Sequence, residues 1–122
     1  MANTIDRAHL EQLGSRFGAA FLVQLIDLFM EQGGERIVVA EAGAAAGDGK
    51  VVSAAAHALK SSAGNLGASS LGTRAAEVEH AALEHPAPAT LTGLVEGLRA
   101  AFEEACTALR SVRAAQGDAR DR

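Results

Sequence analysis

The sequence has no tryptophan and no tyrosine, a single cysteine, two prolines and only four aromatic residues, all phenylalanine, among 122 residues. Each scarcity excludes something. With Cys106 alone there is no intrachain disulfide and no thiolate cluster to hold a metal, which fits a reducing, cytoplasmic interior. Both prolines, Pro86 and Pro88, fall in one short segment, so no other stretch is barred from helix by proline. Aromatic and β-branched residues never alternate with polar ones over the length of a strand, and alanine and leucine dominate the apolar fraction; both features favour an all-α domain. The two lysines, Lys50 and Lys60, the scattered arginines and a net charge of -4 argue against a nucleic-acid partner, whose phosphates recruit clustered cations. No apolar run approaches the roughly 20 residues that span a bilayer. The first residues, Met1 to Arg7, lack the apolar stretch of a signal peptide, so a membrane location is not expected.

The length is that of one domain with one core. Ile5 to Leu13 reads as a short first helix with Asp6 near its start and Gly14-Ser15 as its break. From about Arg16, Leu22, Leu25, Ile26 and Phe29 recur at helical spacing, and Ile37 and Val38 resume beyond Gly33-Gly34, which predicts one long helix continuing through that pair. Gly43 to Gly49 marks a turn, with Asp48 as N-cap of the next helix, which ends near Gly67. Leu71, Ala75, Val78 and Ala82 form the core stripe of another helix, His85-Pro86-Ala87-Pro88 interrupts, and Leu91, Leu94, Leu98, Phe102, Ala105, Leu109 and Val112 hold one face of the last. Four main helices with short connections predict an antiparallel up-down four-helix bundle with a short additional N-terminal helix, over residues 1–115. Residues 116–122 read as a polar, disordered tail. Met1 and that tail favour a free-standing protein over a segment of a larger one, and a monomer is expected.

The residues that carry chemistry lie on the third of these helices. At about 100° per residue, Lys60, Ser61, Gly64 and Ser53 fall within about 60° of His57, while Val52, Ala55, Leu59, Ala63 and Leu66 fall on the opposite side. The apolar side must face the core, so the imidazole is expected to face water. A neutral imidazole nitrogen is nucleophilic near pH 7 without a neighbouring base. A phosphoryl group placed on it would find the Lys60 ammonium at i+3 and the Ser61 hydroxyl at i+4, with Gly64 leaving room at i+7 for an approaching partner. The other histidines, His9, His80 and His85, have no such company. Glu77 and His80 form a Glu-x-x-His pair of the kind that ligates iron in helical bundles, but the second copy such a site requires is missing. Gly43 to Lys50 is no phosphate loop, because Ala44 and Val51 replace the residues it needs.

The run His57-Ala58-Leu59-Lys60-Ser61-Ser62-Ala63-Gly64-Asn65-Leu66-Gly67-Ala68 closely resembles the signature of histidine-containing phosphotransfer (HPt) domains of bacterial phosphorelays. His57, Leu59, Lys60, Ser62, Ala63, Leu66, Gly67 and Ala68 match it. Ser61 stands where glycine is frequent, and Ile5-Asp6, Phe21-Leu22 to Phe29 and Gly47-Asp48 extend the likeness over nearly the whole chain. The resemblance implies a shuttle that takes a phosphoryl group onto His57 from a receiver-domain aspartate of a response regulator or hybrid kinase and passes it to another. No nucleotide site and no cofactor of its own is implied, the Mg2+ belonging to the receiver. It also implies a glutamine or glutamate on the following helix that orients the histidine, and ungapped counting places Glu79 there, able to accept the Nδ1 proton and free Nε2 for attack. Two other classes compete. A sensor-kinase dimerisation helix usually has an acidic residue directly after its histidine, where this chain has Ala58; a helical adaptor would bind partners through exposed apolar residues, with His57 incidental.

Overall fold

The computed structural model describes residues 4–120, with side chains described to Gln116. It contains five helices, α1 (Arg7–Phe17), α2 (Ala19–Ala45), α3 (Gly49–Leu66), α4 (Ser69–Ala82) and α5 (Pro88–Arg120), and no strand among the described residues. Among the described residues no helix is long and apolar enough to cross a membrane.

The helix ends show why the chain divides here. Asp6 caps α1 by accepting from the His9 N–H at 3.1 Å. The break expected at Gly14-Ser15 falls instead at Gly18, whose φ of 93° suits glycine and turns the chain sharply into α2. A glycine inside a helix costs only about 1 kcal/mol, and Gly14 is carried within α1 at that cost. Asp48 caps α3, its carboxylate accepting from the N–H groups of Lys50 and Val51 at 3.1 and 3.2 Å. Gly67, left-handed at φ 68°, ends α3, and the Ala68 N–H returns to the Ala63 carbonyl at 2.8 Å. Pro88 opens α5 at the position where its missing N–H is not needed.

As expected, α2 continues through Gly33-Gly34. Gly33 faces α5, and a side chain there would occupy the space of the Phe102 ring, which in turn lies 5.7 Å from the Phe29 ring. All four expected core residues of α4 are buried, and of the seven on α5 only Leu94 is partly exposed. Leu22, Ile26, Leu59, Leu71, Val78, Leu98 and Leu109 form the dry centre. Where a polar tail was expected from Gln116, helix α5 runs on to Arg120; Ala114, Ala115 and Gln116 are sound helix formers and no proline intervenes. Residues 121 and 122 lie outside the described residues.

Helix α1 is clipped to the far end of α3. The Asp6 N–H donates to the Gly67 carbonyl at 2.7 Å, and the His9 ring donates through Nε2 to the Asn65 carbonyl at 2.9 Å. His9 thus has a structural task that its sequence neighbours do not advertise. Two ion pairs fix α2 against α5: Arg113 grips both carboxylate oxygens of Asp27 at 2.6 and 2.9 Å, and Arg99 meets Glu41 at 2.9 Å.

The Arg113 guanidinium holds the Asp27 carboxyl below its ordinary value of 3.8. A lowered folded-state value means stability that is fully present above the ordinary value and lost as pH falls below it and through the lowered one. Both side chains are about half exposed, so the contribution is below about 1 kcal/mol. Asp27→Asn is therefore expected to lower Tm by about 2–4 °C at neutral pH, and the gap to the parent protein should close in thermal melts below pH 3.8. A gap that persists in acid would show that the aspartate acts through packing.

Candidate functional site

His57 sits in the middle of α3 with its side chain 60% exposed, looking away from the core as the helical spacing requires. Val52, Ala55, Leu59, Ala63 and Leu66 are all buried on the opposite side. The ring does not stand free. Its Nδ1 lies 2.7 Å from Oε2 of Glu79 on α4. A carboxylate only accepts, so in the neutral ring Nδ1 carries the proton and Nε2 the lone pair. The contact that ungapped counting implied is thus present in the fold.

Glu79 is shared. Its second oxygen, Oε1, is shut off from solvent and lies 2.8 Å from the Lys60 ammonium, a close ion pair without the alignment of a good hydrogen bond. Lys60, then His57, hold the Glu79 carboxyl below the usual carboxylate range. In this unmodified state the Lys60 charge rests on Glu79 and does not project into the space above the ring.

Ser53 departs from the expected stripe. It is buried, and its Oγ donates to the Glu79 backbone carbonyl at 2.8 Å. The reason is that α4 packs over that flank of α3: a short side chain there is covered, whereas Lys60 on the same flank is long enough to reach past it and remains 38% exposed. Ser53 therefore anchors the α4 backbone at the residue whose side chain meets His57. Its i−4 spacing from His57 was the available signal.

Ser61 is exposed and has no side-chain hydrogen bond among the described residues. Gly64 is also exposed, and a Cβ there would meet nothing within 4 Å. Packing does not demand a glycine at that position. Further along α3, Lys60, Gly64, Gly67, Gly72 and Thr73 line a shallow depression between α3 and α4 that Asp6 and His9 close at the α1 end. Another cavity, lined by Arg7, Leu10, Leu22 and Val112, lies where α1, α2 and α5 come together and shares no residue with the histidine face. Glu77 and His80 are exposed, Glu77 lies 3.8 Å from Arg74, and no group of three metal-ligating side chains occurs among the described residues.

The assembled face therefore offers one exposed imidazole nitrogen, oriented from behind by a carboxylate, with a cation and open space beside it. Nucleophilic attack on a phosphoryl group needs that geometry and little else. Among solved structures, the crystal structure of histidine-containing phosphotransfer protein B (HptB) from Pseudomonas aeruginosa PAO1 has the same fold, with a TM-score of 0.83, covering 93% of this chain and 96% of that one at 24% identity. No curated protein matches by sequence. The family model of the Hpt domain matches residues 24–115, which include α3, α4 and every candidate site residue. The chain thus belongs to the Hpt domain family, the histidine phosphotransfer modules of phosphorelays, which carry phosphoryl groups and are not kinases.

Proposed function

We propose that this chain is a relay intermediate in which His57 Nε2 takes a phosphoryl group from a receiver-domain aspartate and returns it to the aspartate of a second receiver. The observation that carries this reading is the 2.7 Å contact between His57 Nδ1 and Glu79, which leaves Nε2 as the exposed nucleophile. Nε2 attacks phosphorus, the P–O bond to the donor aspartate breaks, and the carboxylate departs. In such a loose transition state, catalysis is mainly positioning and charge stabilisation. Lys60 turns from Glu79 toward the arriving phosphoryl oxygens, Ser61 donates a hydrogen bond to them, and the receiver supplies Mg2+. The chain acts as a monomer in the cytoplasm. Its α2–α5 ion pairs, which join the start of one helix to the far part of the other, fit an antiparallel up-down four-helix bundle with α1 added. The direct test is incubation with isolated receiver domains carrying labelled aspartyl phosphate: label moving onto this chain in an acid-labile, base-stable bond supports the reading, and no transfer from any receiver of the source genome refutes it.

The helical-adaptor reading draws on the exposed apolar residues, among which Phe21, Leu28 and Val39 share one face of α2. It makes no demand on position 64, whereas a docked receiver must pass close over it. Gly64→Gln is therefore expected to leave Tm unchanged or raised, since a helix former replaces glycine in open space, while slowing transfer at least about tenfold, the effect of about 1.4 kcal/mol on the barrier. Stopped-flow transfer kinetics beside thermal melts check both halves, and an unslowed variant would show that no partner packs there.

A further inference from the structure

Once a phosphoryl group is on Nε2, the ring either keeps its Nδ1 proton or loses it, and the two forms behave differently. A ring that keeps the proton is cationic and leaves as neutral imidazole when the P–N bond breaks. A ring that has lost it must leave as imidazolate, a far poorer leaving group. In this chain Nδ1 faces a full carboxylate at 2.7 Å, and that carboxylate is only 19% exposed. A negative charge so close favours the protonated ring. We infer that Glu79 holds the Nδ1 proton on phosphorylated His57, and so keeps the chain an active phosphoryl donor into mildly alkaline solution. This rests on the proposed phosphotransfer role.

The step balances without an added base or acid. A carboxylate oxygen of the receiver aspartate bonds to phosphorus as the P–N bond breaks; the bonding pair returns to Nε2, the proton stays on Nδ1, and the ring departs neutral with its bond to Glu79 intact. Glu79 touches no reacting atom and is a positioning residue. In the unmodified chain the charges that act on its carboxylate come from α3, Lys60 first and His57 second, and hold it below the usual carboxylate range; once Lys60 has turned to the phosphoryl group, the cationic ring at Nδ1 is the charge that stays against it. On α4, Glu77 and His80 are exposed and Glu77 is engaged by Arg74. From α1, Asp6 caps its own helix and His9 is bonded to the Asn65 carbonyl, so neither competes for Nδ1.

Phosphoramidate, which phosphorylates imidazoles without a protein partner, separates this inference from the relay reading. The full chain and Glu79→Gln are phosphorylated and titrated by 31P and 15N NMR, and P–N hydrolysis is followed across pH. The expected result is an Nε2 adduct whose ring titrates about one pH unit higher in the parent protein than in Glu79→Gln, with the fall in hydrolysis rate displaced by the same amount. A phosphorylated peptide of residues 52–64, which holds His57 and Lys60 but not Glu79, gives the reference if the variant fails to fold. Equal midpoints in protein and peptide, or phosphate on Nδ1, overturn the inference. The raised titration in a protein that no receiver labels would instead overturn the relay role and leave the proton-holding role standing.

Discussion

His57→Gln is expected to take up no label from a phosphorylated receiver while melting at nearly the temperature of the parent protein. The two halves have separate causes. Chemically, an amide nitrogen has its lone pair delocalised into the carbonyl, so glutamine offers no nucleophile, and the loss should be complete within detection, more than about a thousandfold, equivalent to about 4 kcal/mol of barrier. Structurally, the imidazole is exposed and its only polar partner among the described residues, Glu79, keeps its pair with Lys60. A surface change of that kind costs within about 0.5 kcal/mol. Acid-labile phosphate retained by the variant would refute His57 as the acceptor. Loss of label together with a collapsed melting transition would show the ring to be a structural residue. His80 and His85, also exposed, are the internal controls.

Much of this site could be read from spacing because it lies on one helix. Helical period alone put His57, Ser61 and Gly64 opposite Leu59 and Leu66, and local chemistry marked both ends of α3 through Asp48 and Gly67. What spacing cannot show is which neighbour covers a flank. Ser53 and Lys60 lie on the same side of α3, yet one is buried under α4 and the other reaches solvent, and the difference depends on side-chain length against a helix that sequence does not locate. The resting place of the Lys60 charge was hidden for the same reason, its partner being on another helix. The end of α1 was misread because a glycine's role depends on its φ: Gly14 keeps a negative φ inside α1, and Gly18, at φ 93°, makes the turn.

The seam that places Glu79 begins at Gly49, and substitution there is expected to have the largest effect on stability. Along α3, Gly49 meets the Ala82 backbone, Ser53 one turn later binds the Glu79 carbonyl, and His57 one turn later again meets the Glu79 side chain. These three contacts lie at i, i+4 and i+8 on one line and set how α4 lies on α3. A Cβ at Gly49 would collide with the Ala82 carbonyl oxygen, a backbone atom that moves only if the end of α4 moves. Overpacking of this kind costs about 1–3 kcal/mol, which for a domain of this size lowers Tm by about 4–10 °C. The same glycine-to-alanine change at Gly64, where a Cβ meets nothing, is expected to raise Tm instead, by removing a helix-interior glycine worth up to about 1 kcal/mol. Opposite signs for one chemical change on one helix separate close packing from intrinsic helix preference. In Gly49→Ala, the displaced α4 should also lengthen the His57–Glu79 contact, which 15N NMR of the ring reads as a mixture of tautomers in place of the Nδ1–H form. If Gly49→Ala melts no lower than the parent and keeps the single tautomer, the end of α4 yields freely and the seam does not position Glu79.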